Sequence, residues 1–265
     1  MANNDWRKKF QYDPKRNDPF RISRSKIDLF TQCPRCFYLD VRLGVKRPSM
    51  PGFTLNIAVD ELLKKEFDTH RKAKTPHPYM ENEGLDAVPY DSPDLDAWRD
   101  SLKRGIQFHH KPTNLIIRGG IDDIWIDSNG DVIIVDYKAT SKKDEPTIEG
   151  GWGDQYKRQM EIYQWLFKKN DFSVSPIGYF VYCNGRKNED GFSNRLNFDI
   201  YMIPYSGNTD WVEGIITELH SALQGDLPLA NPDCEHCNYR VRAHSHEEET
   251  PKESKGKTSE QNTLF

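Results

Sequence analysis

The residues most able to do chemistry lie around a predicted β-hairpin. Residues 116–140 read IIRGGIDDIWIDSNGDVIIVDYKAT, with two runs of Ile and Val on either side of an Asn-Gly turn. Asp122 precedes the first of these apolar segments, while Asp136 and Lys138 interrupt the second. Charged side chains are seldom buried unless they are paired, so their relative positions decide what they can do.

The length of the turn sets which residues face each other. A two-residue loop would place Asp123 opposite Asp136, a like-charge pair on an apolar sheet. A three-residue loop ending in a left-handed Gly130 is the other common hairpin, and Lys138 then follows Asp136 on the same face. We expect the three-residue loop, which aligns Asp122 with Asp136, Ile124 with Ile134 and Ile126 with Val132.

In that register the two carboxylates form a candidate metal site. Side chains directly opposite each other have Cβ atoms about 5 Å apart, so two unpaired carboxylates would repel. A hard cation such as Mg²⁺ relieves the repulsion and commonly binds one or two carboxylates, waters and a substrate phosphate. The ammonium of Lys138 can orient or deprotonate a water, or balance charge on the phosphate. Phosphodiester hydrolysis is the chemistry this set suits; the alternative is a salt bridge between Asp122 and Lys138.

Helices and strands alternate around this hairpin. Short helices are predicted in ISRSKIDLF, with Ser23 as N-cap, and in RCFYLDVRL. Further helices are predicted at about 54–69, 94–108, 152–169 and 209–224, and strands at about 115–127, 131–139, 176–184 and 195–203. The first long helix carries an apolar stripe, Leu55, Val59, Leu62, Leu63 and Phe67, and a loop or insertion is expected at 70–93. This order predicts an α/β (mixed α+β) fold with a mixed sheet flanked by helices.

Composition sets limits on organisation and location. The 265 residues favour one core domain with additions: an arm at 1–20, a core at 21–242 and a tail from 243 whose composition is typical of disorder. No apolar leader or run of about 18 apolar residues is present, so we expect a cytoplasmic protein without membrane contact. The net charge of −4 gives no general attraction for nucleic acid. A polyanion would need a local basic groove.

Two segments carry a family resemblance. GGID followed by IVDYK resembles the PD-(D/E)XK nuclease superfamily, whose core hairpin carries one acid and then D/E-x-K on the next strand. SRSKIDLFTQCPRCFYLD resembles the opening of its RecB-like branch, which includes CRISPR-associated nucleases. The resemblance implies a restriction-endonuclease-like fold with helical additions at both ends.

The helix after the lysine strand extends the resemblance. In YKRQMEIYQWL, Gln159 and Tyr163 match the Q-x-x-x-Y motif of the RecB-like branch, where they are expected to hold Lys138 and the DNA strand. Gln159 shares a helical stripe with apolar residues and therefore needs a partner, unless it lies at the stripe's edge. The resemblance gives catalytic roles to Asp122, Asp136, Lys138, Gln159 and Tyr163. It places Mg²⁺ or Mn²⁺ on Asp122, Asp136 and the carbonyl of Tyr137.

One position departs from the family pattern. Many members carry a histidine ligand on the helix before the hairpin, and here Asp60 stands at the aligned position with Glu61 beside it. A carboxylate still suits Mg²⁺ or Mn²⁺, so Asp60 is a further candidate ligand. Alternatively, both acids begin the solvent face of that helix.

The implied function is a metal-dependent DNA nuclease acting in repair, recombination, or phage or CRISPR DNA processing. The alternative is an inactive DNA-binding or clamp-tethered adaptor that keeps the fold. Exonuclease or endonuclease action, polarity, and preference for DNA or RNA stay open. Basic residues near the motifs could line a phosphate groove or be ordinary solvated charge: Arg21, Arg24, Lys26, Lys142, Lys143, Lys157, Arg158, Arg240 and Arg242.

Two C-x-x-C pairs lie at opposite ends of the chain: Cys33 with Cys36, and Cys234 with Cys237. Four thiolates suit tetrahedral zinc or a 4Fe–4S cluster. Iron–sulfur members of the RecB-like branch join the chain ends in this way, though with one cysteine near the start and three near the end. Nearby histidines, among them His236, favour zinc. Buried thiols without a metal and a redox sensor are the other interpretations, and Cys183 is expected in the core.

The last residues, QNTLF, resemble the peptide by which bacterial DNA polymerases and repair proteins bind the replicative sliding clamp. Leu264 and Phe265 would fill an apolar pocket, and Gln261 would form a hydrogen bond at its rim. A flexible tether would raise the local concentration of the protein on DNA.

Overall fold

The structure is a computed structural model that describes residues 10–49 and 51–249. Its strands are β1 (Phe20–Ser23), β2 (Ala87–Pro89), β3 (Ile106–His110), β4 (Leu115–Gly119), β5 (Asp123–Asp127), β6 (Val132–Thr140), β7 (Ile177–Gly185) and β8 (Phe198–Ser206). Its helices are α1 (Arg24–Gln32), α2 (Pro34–Val41), α3 (Thr54–Ala73), α4 (Pro78–Asn82), α5 (Leu95–Arg99), α6 (Gly153–Lys169), α7 (Trp211–Gln224) and α8 (Glu235–Glu249).

The strands form two mixed sheets. The larger has the order β2-β5-β6-β7-β8, in which β6 and β7 are parallel and the other neighbours antiparallel. The smaller has the order β1-β4-β3, with β1 parallel to β4. The mixed α+β prediction is confirmed, and the architecture is consistent with a restriction-endonuclease-like fold.

Strand β6 is buried on both faces because a helix covers each. Ile134 packs with Met160 of α6 in the larger apolar core. Ile133 and Tyr137 pack with Phe67 of α3 in a second core. Since side chains alternate along a strand, β6 sends successive residues toward α6 and α3 in turn. The end of β6 therefore lies between these two helices.

The predicted hairpin register is confirmed. Ile124 pairs with Ile134 and Ile126 pairs with Val132. Gly130 has φ +85°, the left-handed conformation that the three-residue loop requires.

The predicted strand at 115–127 is wrong in one respect, because it is two strands in different sheets. The break falls at Gly119 and Gly120. A Cβ atom on Gly119 would lie 2.5 Å from Cε1 of Tyr163, and one on Gly120 would lie 2.6 Å from Cα of Ser101. The two glycines thus let α6 and the segment before β3 approach the backbone closely where the chain crosses between sheets.

The segments before the hairpin also differ from the prediction. Only Leu95–Arg99 is helical within 94–108, because Gly105 turns the chain with φ +74° and β3 then pairs with β4. The expected loop at 70–93 contains the end of α3, helix α4 and strand β2. On α3, Leu63 and Phe67 are buried as expected, whereas Leu55 and Leu62 are more than half exposed.

The ends of the chain are described in part. Of the expected arm at 1–20, Tyr12 is buried and its N–H donates to the carbonyl of Val41 at 2.8 Å. Residues 243–249, expected within the tail, lie in α8. The QNTLF peptide lies outside the described residues, so the clamp hypothesis stays a prediction. Among the described helices, none combines the length and apolarity needed to cross a bilayer.

Candidate active site

The two acids of the hairpin lie opposite each other at its open end. Asp122 stands one residue before the Asp123–Val135 pair, and so faces Asp136 across the hairpin. Its Oδ2 accepts a hydrogen bond from the backbone N–H of Tyr137 at 3.0 Å. Asp136 has no exposed surface, whereas about a quarter of the Asp122 side chain is exposed. A fixed, partly exposed carboxylate therefore lies beside a buried one.

Lys138 neutralises the buried acid. Its Nζ forms an ion pair with Oδ2 of Asp136 and lies 4.5 Å from the centre of the Tyr156 ring. Burial lowers the pKa of Lys138, but the charges of Asp136 and Asp122 outweigh burial and raise it. Lys138 is therefore an ammonium. The alternative of a simple Asp122–Lys138 salt bridge does not describe this arrangement, in which the ion pair joins Lys138 to Asp136.

Gln159 and Tyr163 of α6 lie on the same side. Nε2 of Gln159 donates to Oδ1 of Asp136 at 2.5 Å, so its partner is the carboxylate rather than the expected Lys138. Tyr163 is buried and forms a hydrogen bond with the guanidinium of Arg24, the first residue of α1. Burial lowers the pKa of Arg24, and Tyr163 and Asp136 more than offset this effect. Arg24 is thus a second, partly buried cation near Asp136.

Helix α3 adds a third carboxylate and a lysine. Nζ of Lys64 lies 2.6 Å from Oδ2 of Asp60 and 3.6 Å from Oδ1 of Asp122. Asp60 therefore faces the site, whereas the neighbouring Glu61 is exposed. Sequence reasoning missed Lys64. The i, i+4 spacing of Asp60 and Lys64 was the available signal, because such residues meet on a helix surface.

Burial and the charge of Asp122 raise the pKa values of two acids in the site, Asp136 and Asp60. Burial raises the pKa of Asp136 to about 6; the Asp122 carboxylate also raises it, while Lys138 and Arg24 oppose the shift. Burial and the charge of Asp122 raise the pKa of Asp60, against the effect of Lys64. Three cationic side chains, Arg24, Lys64 and Lys138, therefore lie beside the three carboxylates of the site.

The donor set fits a hard divalent cation. Asp60, Asp122 and Asp136 offer carboxylate oxygens, the ligands that Mg²⁺ and Mn²⁺ prefer. A pocket of about 120 Å³ beside them is lined by Asp60, Tyr137, Lys138 and Tyr156, among others. Lys64 lies between Asp60 and Asp122, where a bound ion would compete with its ammonium.

Comparison with known proteins identifies the family. A sequence model of the PD-(D/E)XK nuclease superfamily matches residues 21–242. The chain belongs to the PD-(D/E)XK nuclease superfamily. Membership implies nuclease-type activity. Among curated proteins, nothing matches. Six solved chains match, one of them described as "Crystal structure of SSO0001". Its sequence is 17% identical to this chain, the alignment covers 86% of each of the two chains, and the TM-score is 0.40.

A second aspartate next to the PD-(D/E)XK hairpin motif has a different environment. Asp123 is fully buried and accepts hydrogen bonds from Arg99 at 2.9 Å, from the hydroxyl of Tyr137 at 2.7 Å and from Arg71. These three partners satisfy its charge on the side of β6 that faces α3. Asp123 therefore anchors the hairpin, and Asp122 is the acid available to a ligand.

Several of the basic residues near the PD-(D/E)XK motifs are paired within the chain. Arg158 lies 2.7 Å from Asp28, Lys157 lies 2.9 Å from Glu149, and Lys26 pairs with Asp40. These side chains stabilise contacts between elements.

The four cysteines expected to form a metal site lie together and are buried. Their sulfurs all lie within 4.8 Å of one another. None of the nearby histidines belongs to this group, and His244 lies 3.3 Å from Glu248 instead. Cys183 lies in the second core, as expected, and burial raises its pKa to about 12.

Proposed function

We propose that this member of the superfamily is a Mg²⁺- or Mn²⁺-dependent deoxyribonuclease of the RecB-like branch. The observation that supports it best is the surroundings of Asp136, a fully buried carboxylate held by Lys138 and Gln159 and faced by Asp122. Burial of a carboxylate costs free energy unless it is paired or binds a metal. A structural ion pair requires only Asp136 and Lys138, whereas here Gln159 and a second carboxylate, Asp122, also surround Asp136.

Asp122, Asp136 and the carbonyl of Tyr137 would hold the ion, with Asp60 as a further ligand. When bound, a divalent metal polarises a phosphoryl oxygen and lowers the pKa of a water. The hydrogen bond from Tyr137 N–H orients Asp122 before any ligand arrives. Because the Asp122 carboxylate is already oriented, it does not have to be repositioned during the reaction.

Lys138 would orient the attacking water and balance charge on the phosphate. Its ion pair with Asp136 keeps it protonated, which favours these roles over that of a general base. Gln159 fixes the rotamer of Asp136 by its hydrogen bond, and is a positioning residue. Tyr163 holds the guanidinium of Arg24 near the same carboxylate, where it would attract a phosphate.

The RecB-like assignment is supported by two features of the site. Gln159 and Tyr163 lie on the helix that follows the lysine strand, and the opening motif supplies Arg24 from the start of α1. DNA as substrate, and a setting in repair, recombination, or phage or CRISPR processing, follow from the same resemblance.

The test is cleavage of plasmid DNA and of end-labelled single and double strands by the purified full-length protein. We expect cleavage with Mn²⁺ or Mg²⁺ and none with a chelator. DNA binding without cleavage under every metal condition would overturn the proposal and support the adaptor. Faster cleavage of matched RNA strands would contradict the assignment of DNA as substrate.

A further inference from the structure

The cysteine cluster joins two helix starts from opposite ends of the chain. Cys33 is the N-cap of α2 and Cys36 lies in its first turn. Cys234 directly precedes α8 and Cys237 lies in its first turn. Each of the four is at most 6% exposed. The cluster is separate from the carboxylate site and does not depend on the proposed function.

The spacing of the sulfurs is that of ligands around one ion. The Sγ atoms of Cys36 and Cys234 lie 3.6 Å apart, those of Cys36 and Cys237 lie 3.6 Å apart, and those of Cys33 and Cys237 lie 3.9 Å apart. A regular tetrahedron with such edges has its centre about 2.3 Å from each corner, which is the Zn–S bond length.

A 4Fe–4S cluster does not fit this arrangement. Each thiolate of such a cluster binds a different iron at a corner of a cube, so the four cysteine sulfurs surround eight cluster atoms. Sulfurs that all lie within 4.8 Å of one another enclose room for a single ion. The two-plus-two arrangement of C-x-x-C pairs is also the spacing of structural zinc sites.

We infer that the four cysteines bind one structural Zn²⁺ that fastens the C-terminal helix to α1 and α2. From residue 224 to residue 248, Cys234 and Cys237 are the only buried residues. Helix α8 therefore has almost no apolar contact with the rest of the described chain. Its attachment depends on the cysteines, and a bound ion would supply the free energy that packing does not.

A neighbouring cation supports a charged thiolate site. Nη2 of Arg47 lies 3.4 Å from Sγ of Cys234, and Nη1 donates to Oε1 of Gln32 at 2.7 Å. Four thiolates around Zn²⁺ carry a net charge of −2, which a guanidinium partly balances. Hydrogen bonds of this kind orient metal ligands and tune the site.

The decisive experiment measures metal content, not nuclease activity. The full-length protein is expressed with iron and zinc both supplied, purified without oxygen, and analysed for zinc, iron and acid-labile sulfide. We expect about one zinc per chain, little iron and no visible absorption. Stoichiometric iron and sulfide with a broad visible band would overturn the inference, as would protein without bound metal.

Variants test whether the cysteines hold the ion. Cys234→Ser and Cys237→Ser should lose the zinc, whereas Cys183→Ala, a buried cysteine outside the cluster, should retain it. Limited trypsin digestion gives a second readout: removal of zinc should speed cleavage after the exposed Arg240 and Arg242. Unchanged zinc content in both serine variants would contradict the proposed zinc site. An unchanged rate of digestion after zinc removal would contradict the role of the ion in attaching α8. A nuclease-inactive protein with one zinc would leave this inference intact.

Discussion

Oδ2 of Asp122 accepts a hydrogen bond from the backbone N–H of Tyr137 at 3.0 Å, so the carboxylate that directly precedes β5 is fixed by the backbone of β6. The same hairpin places Asp136 and Lys138 on either side of Tyr137. The positions of all three charged groups therefore depend on the three-residue turn far from them, at Gly130.

Metal binding should stabilise the protein through the carboxylates. At a free Mn²⁺ concentration ten times the Kd, binding adds about 1.4 kcal/mol to the free energy of unfolding, and raises the Tm of a domain of this size by roughly 3–6 °C. Asp122→Asn and Asp136→Asn should lose this rise, as measured by thermal unfolding with and without Mn²⁺. Asp144→Asn, at an exposed loop residue, should keep it. An equal rise in all four proteins would exclude the carboxylate site.

Removing the Lys64 ammonium should tighten metal binding. Lys64 lies within 3.6 Å of Asp60 and Asp122, where its charge opposes a cation by about 1 kcal/mol at a partly exposed site. Lys64→Met should therefore lower the Mn²⁺ concentration that gives half-maximal activity by roughly fivefold. Lys65→Met, at the exposed neighbouring residue, should leave it unchanged. Weaker metal activation in Lys64→Met would show that the ammonium supports the ion.

A methyl group at Gly119 should disturb both stability and the site. The added Cβ would lie 2.5 Å from Cε1 of Tyr163, so the ring must move. Overpacking of this kind costs about 1–3 kcal/mol, and we expect Gly119→Ala to lower the free energy of unfolding in urea by that amount. The control is Gly214→Ala in α7, where nothing lies within 4 Å and the helix should gain about 0.5–1 kcal/mol. Equal stability of the two variants would contradict the close approach.

The contribution of His77 to stability should fall as the pH drops below about 6.5, while Asp136, whose raised pKa makes the folded chain take up a proton, acts in the opposite direction below about pH 6. Burial lowers the pKa of His77 below its ordinary value of 6.5, despite the Glu66 carboxylate 3.0 Å away. Below pH 6.5 the unfolded chain therefore binds more protons at this residue than the folded chain. The resulting loss reaches at most about 1.4 kcal/mol per pH unit.

The check is urea unfolding at several pH values between 5 and 8. His77→Gln should flatten the pH dependence, whereas His244→Gln, at a largely exposed residue, should not. A His77→Gln variant with the full wild-type pH dependence would show that another group causes it.

The sequence predicted the site best where the chemistry is local. The predicted hairpin register rests on a turn glycine and on alternating apolar residues. The structure has both the left-handed Gly130 and the predicted apolar pairs. Helix α6 follows from its 3.6-residue periodicity, which also places Gln159 toward the sheet. The hairpin register and helix α6 depend on residues that are close together in the sequence, so both can be predicted from the sequence alone.

The parts that sequence reasoning missed depend on distant contacts. The strand from 115 to 127 reads as continuous, and only the approach of Tyr163 and Ser101 to the two glycines explains its division. Leu55 and Leu62 continue an apolar stripe on α3, yet this part of the stripe is largely exposed. Lys64 enters the site because α3 packs beside β6; its i, i+4 spacing from Asp60 predicts only that these two side chains meet on the helix surface.

The most direct test of the account is the rate at which Lys138→Ala cleaves end-labelled DNA in saturating Mn²⁺. Removal of one preorganised donor that stabilises developing charge costs about 10²–10³-fold in rate, so the variant should lose at least about 100-fold. Its fold should be intact by circular dichroism, and Lys72→Ala, at an exposed residue of α3, should match the wild type. Equal cleavage by Lys138→Ala and the wild type would contradict the assignment of this site as the catalytic centre.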